Sequence, residues 1–145
     1  MQDFPYQYSA AALANAEGEV SLEGKRLPSL ASAPPSEFGG PGDRWSPEML
    51  LVAAVADCFV LTFRAIAHAS KFPWISLKCE VEGTLDRVER VAQFTEFHVR
   101  ATLCVPPNTN EERAQRLLAR AEQTCFITNS LKAKSHLTAT IEPVP

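Results

Sequence analysis

An α+β domain, with mostly antiparallel sheet packed around one long buried helix, is the fold this 145-residue sequence predicts. Three observations predict it. The stretch from Ser46 to Lys71, SPEMLLVAAVADCFVLTFRAIAHASK, is apolar nearly all round and reads as a central helix. After it, Ile75 to Leu85 and Phe94 to Val105 alternate apolar and polar residues as half-buried strands do, with a polar turn from Asp86 to Arg90 between them. Arg113 to Gln123 then carries Ala114, Leu117, Leu118 and Ala121 at helical spacing, and His136 to Ile141 alternates once more.

Taken in order, the chain opens with a meander of short strands, Phe4 to Ala14, Glu17 to Leu22 and Lys25 to Leu30, with turns at Asn15 to Gly18 and Gly24. Ala31 to Trp45 is rich in Pro, Gly and Ser and reads as a loop. Ser46 is a suitable N-cap for the central helix, with Pro47 where a missing N–H costs nothing and Glu48 in the first turn. Thr109 and Glu112 have capping-box spacing for the second helix. Cys125, Phe126 and Ile127 follow that helix directly, before a turn at Asn129 and Ser130.

The length suits a single domain spanning 1–145. A net charge of −3 without a basic run gives no footprint for nucleic acid. Asp57 and Arg64 interrupt the apolar helix, which argues for a core helix and against a membrane span. The N-terminus has no basic n-region and carries an acid at Asp3, unlike a secretory signal, so a cytoplasmic protein is expected. Cys58, Cys79, Cys104 and Cys125 show no C-x-x-C spacing, and His68, His98 and His136 are scattered, so no metal is expected. Buried cysteine is common as core filling, and Cys79 and Cys104 are read that way.

The segment Ser46-Pro47-Glu48-Met49-Leu50-Leu51 through Ala56-Asp57-Cys58-Phe59, with a second cysteine, Cys125, just past an amphipathic helix, resembles the OsmC/Ohr family of osmotically inducible and organic hydroperoxide resistance proteins. The order of elements is similar from about Phe4 to Ile141. The resemblance implies an intertwined homodimer with both active sites at the subunit interface. It also implies a thiol-dependent peroxidase that reduces organic hydroperoxides, needs no cofactor, and is recycled by a dithiol such as a lipoylated protein. On the matching positions, Cys58 is the peroxidatic cysteine, Cys125 the resolving cysteine, and Glu48 the carboxylate that orients a catalytic arginine. This chain departs from the family's arginine placement, and Arg44 or Arg26 is the candidate.

The chemistry of those residues sets its own demands. An ordinary thiol, with a pKa of about 8.5, is only slightly ionised near neutrality. Cys58 lies roughly three turns into its helix, beyond the reach of the helix dipole, so a guanidinium is expected to stabilise the thiolate. Phe59, Phe63, Phe126 and Trp45 are candidate pocket residues that would favour an apolar hydroperoxide. The alternative reading is a non-enzymatic module of the same fold that binds a small apolar ligand at the dimer interface.

Overall fold

The computed structural model describes residues 3–145, and its contacts divide the chain into two compact units, Met1–Leu50 and Leu51–Pro145. The first unit holds an antiparallel three-stranded sheet of β1 (Ala11–Leu13), β2 (Val20–Glu23) and β3 (Leu30–Ser32), in the order β1-β2-β3. Ala11 pairs with Glu23, and Val20 with Ser32. The strands are shorter than the expected Phe4 to Ala14 and Glu17 to Leu22, and the third is displaced from the expected Lys25 to Leu30, sharing only Leu30 and taking in Ala31 and Ser32 of the expected loop. The physical reason is lack of burial: every residue of β1 is exposed, so nothing extends the pairing into the flanking residues. The loop after β3 is held where Ser32 bridges Trp45 and the Ala33 amide donates to the Trp45 carbonyl.

The long helix α1 spans Pro47–Ala69. Ser46 Oγ accepts from the Met49 amide at 3.1 Å, so the expected N-cap is in place. At the other end the Phe72 amide donates to Ala67 and the Lys71 amide to His68, the paired bonds of a Schellman turn with Lys71 left-handed at φ 51°.

In the second unit, β4 (Ser76–Val88) and β5 (Val91–Val105) form the expected antiparallel hairpin, longer than the alternation indicated. Its turn contracts to Glu89 and Arg90, both left-handed at φ 51° and 69°. That conformation normally selects Asn or Gly, so the residue types concealed it. α2 (Glu111–Thr124) is capped by Asn110, whose side chain accepts from the Arg113 amide, while Thr109 donates to the Pro106 carbonyl. The expected Thr109 and Glu112 capping box is therefore displaced by the neighbouring asparagine, which caps one residue later by accepting from the Arg113 amide. α3 (Phe126–Asn129) is a single turn, and β6 (Lys134–Pro143) lies parallel to β5. A parallel neighbour requires a crossover, and α2 with α3 is that crossover.

Val55, Phe59, Phe63 and Ala67 of α1 form one buried stripe, with Phe97, Val99, Ala101, Leu103 and Val105 of β5 and Ala114, Leu117, Leu118 and Ala121 of α2 in the same core. The expectation that α1 is buried nearly all round is corrected here: Leu61 and Met49 are 49% and 56% exposed. One sheet can cover only one stripe of a helix. By length and composition alone α1 could cross a membrane, but its four-residue stripe is packed against a sheet. Gly83 marks how closely the layers approach, since a Cβ there would lie 2.9 Å from the Phe97 ring and 3.0 Å from Phe94 and Val52. Gly83→Ala is expected to destabilise the fold by about 1–3 kcal/mol through overpacking, read as a lower urea midpoint with unchanged slope.

Candidate active site

Helical geometry separates the two roles of α1. Val55, Phe59 and Phe63 recur every four residues and face the sheet, whereas Cys58 and Thr62 recur at the same interval one residue earlier, about 100° around the axis. Cys58 is therefore half-buried beside the core and not in it, and its Sγ lies 3.7 Å from Thr62 Oγ1. Phe59 and Phe63, expected at the substrate pocket, are 1% and 0% exposed and belong to the core. Phe126 is 71% exposed.

Cys125 is the hinge between two helices, with extended backbone (φ −65°, ψ 118°) that ends α2 and begins α3. Its thiol is buried and near enough to that of Cys58 for the two to influence each other's ionisation, so the fold brings the two cysteines together from sequence positions far apart. The same turn aims the amides of Phe126 and Ile127 at Cys58.

The pair is electrostatically asymmetric. Burial works to raise the Cys58 pKa, but the Ile127 amide, the Cys125 thiol, the Thr62 hydroxyl and the Phe126 amide together outweigh it, and the net direction is down. Burial raises the Cys125 pKa, the bonds from the Thr128 amide and hydroxyl only partly offset this, and Cys58 raises it further. Of the pair, Cys58 is thus the more readily ionised thiol and Cys125 the one that holds its proton more strongly. Burial pushes Cys79 up to about 12, with Cys125 and Glu80 adding to it, so Cys79 stays a neutral thiol.

The lowering assigned from sequence to a guanidinium thus has another source, four hydrogen-bonding groups of which none is an arginine. Thr62 was findable in the sequence, as the residue one turn beyond Cys58. The amides were not, because nothing in Cys125-Phe126-Ile127 carries a cap signature. In the first unit, Arg44 Nε donates to Glu19 Oε2 at 2.8 Å and Nη1 lies 3.3 Å from Asp43. Arg26 is exposed in a turn at φ 64°. Glu48 Oε1 is buried and has no hydrogen-bond partner among the described residues. Trp45 is 43% exposed.

A lowered thiol pKa means that a larger thiolate fraction survives as pH falls. The rate of Cys58 alkylation by iodoacetamide is expected to reach half its plateau at a lower pH than an unstructured cysteine peptide. Cys125→Ala, which removes one of the donors, moves that midpoint upward.

Comparison with known proteins places this arrangement. A sequence model of the family described as OsmC-like protein matches residues 40–140. An organic hydroperoxide resistance protein of Xanthomonas axonopodis pv. citri is 28% identical over 138 residues, covering 94% of each chain. Among solved structures, an OsmC-like protein of unknown function from Vibrio cholerae superposes with TM-score 0.85 at 16% identity, over 93% of this chain and 99% of that one. An organic hydroperoxide resistance protein from Legionella pneumophila gives TM-score 0.74 at 24% identity, over 97% and 99%.

Proposed function

Because the chain belongs to the OsmC-like protein family, we propose that it is a thiol-dependent peroxidase which reduces organic hydroperoxides to alcohols. The observation that carries this reading is the asymmetric thiol pair, a half-buried Cys58 whose pKa is lowered beside a buried Cys125 whose pKa is raised. The Cys58 thiolate attacks the terminal oxygen of R–O–OH. The O–O bond breaks, a proton goes to the departing alkoxide, and Cys58 becomes a sulfenic acid with release of ROH. Cys125 condenses with it, giving the Cys58–Cys125 disulfide and water. A dithiol then reduces the disulfide by exchange, consistent with a lipoylated protein as donor.

Two further features support the finer reading. The unpartnered Glu48 oxygen is a place for a guanidinium, from Arg44 or Arg26 of either copy in an intertwined dimer. The apolar surface that α1 leaves open fits a second copy of the chain. A cytoplasmic location would supply the reducing dithiols this cycle consumes.

One experiment tests the cycle. Stoichiometric cumene hydroperoxide, added to the reduced protein and followed by alkylation under non-reducing conditions, is expected to remove two hydrogens. Peptide mapping should find Cys58 joined to Cys125. Recovery of all four free thiols after peroxide treatment would replace this reading with that of a binding module.

A further inference from the structure

A concave site lies at the far end of α1, roughly 15 Å along the helix axis from Cys58 at 1.5 Å per residue. It is a cleft of about 500 Å³ lined by Arg64, His68, Lys71, Phe72, Pro73 and Trp74. Its cations are uncommitted: among the described residues, neither Arg64, His68 nor Lys71 lies within salt-bridge distance of a carboxylate. The apolar wall is fixed. Phe72 is buried, and Trp74 packs edge-on against the core ring of Phe63 at 5.3 Å between centroids. Arg113 braces the same turn, donating to the Ser70 carbonyl with its guanidinium 5.4 Å from the Phe72 ring.

The helix dipole alone accounts for a cation in the last turn. It does not account for Lys71. That residue occupies the left-handed position of the Schellman turn, where glycine is strongly favoured and any side chain costs conformational energy. Strain of this kind persists where the surrounding structure enforces it, and it is concentrated at binding and active sites. Here it adds a second full positive charge, beside Arg64 and the His68 imidazole, to a cleft whose remaining wall is aromatic.

We propose that this cleft binds a small amphipathic monoanion, an organic carboxylate with an apolar body. The carboxylate would be held by Arg64, His68 and Lys71, with the body against Phe72, Pro73 and Trp74. Bare phosphate would leave the aromatic wall uncovered, and a neutral alcohol would leave the cations unanswered.

Sodium decanoate, below its micelle concentration, serves as the probe against the intact protein. The readout is the indole N–H resonance of Trp74, distinguished from that of Trp45 by a Trp45→Phe spectrum. Decanoate is expected to shift this resonance saturably, while decanol and inorganic phosphate at equal concentration do not. Lys71→Gly relieves the backbone strain, so its Tm should equal or exceed that of the unmodified protein while its decanoate affinity falls at least fivefold. Arg64→Gln should weaken binding similarly. An unmoved Trp74 resonance, equal response to decanol or phosphate, or unchanged affinity in both variants would overturn the assignment. No peroxide enters the test, so it stands apart from the thiol chemistry.

Discussion

Cys58→Ser is expected to lower consumption of cumene hydroperoxide with dithiothreitol by about a thousandfold or more, to the rate of the uncatalysed mixture. Every group that lowers the Cys58 pKa does so by hydrogen-bonding a thiolate, and a serine hydroxyl in the same place remains un-ionised at any pH the fold survives. The substitution keeps the shape of the side chain and leaves the Thr62 and Ile127 donors where they are. It therefore separates nucleophile from scaffold. Circular dichroism and Tm should match the unmodified protein. A variant that retains full turnover would remove Cys58 from the mechanism and with it the peroxidase.

The predictions differ in how directly the sequence carries them. The helix α1 and the place of Cys58 on it were legible because a helix is periodic: Ser46 caps it, Pro47 starts it, and Cys58 falls between two core residues. The inward set of β5 and the apolar stripe of α2 were legible for the same reason. Direction was not. Alternation in β6 reports which residues face the core, and nothing in it distinguishes the parallel pairing with β5 from an antiparallel one. The first sheet was overextended because the apolar residues of its segments are mostly exposed. In the site, the two cysteines and Thr62 are side-chain facts. The Phe126 and Ile127 donors are backbone facts created by a turn at Cys125, invisible until the chain is folded. Assigning Phe59 and Phe63 to the pocket failed on geometry, because the residue after Cys58 on a helix points to a different face.

Phe63→Ala is expected to carry the largest stability loss of any single substitution in α1, about 3–5 kcal/mol from lost transfer and cavity formation. At this chain length that corresponds to a fall in Tm of roughly 10 °C. Phe63 is 0% exposed, lies in the stripe shared with Val55 and Phe59, and holds Trp74 edge-on. The collapse that would soften the cost is resisted by the rest of the same close-packed core, which includes Phe97 and Val99 of β5 and Leu117 and Leu118 of α2. Phe63→Leu retains most of the volume and should cost distinctly less, which tells a packing role from a specific aromatic one. Since Cys58 and Thr62 occupy the adjacent face of the same helix, Phe63→Leu should leave the pH midpoint of Cys58 alkylation in place. A shifted midpoint would mean that the core stripe, and not only the donors at the 125–127 turn, positions the thiolate.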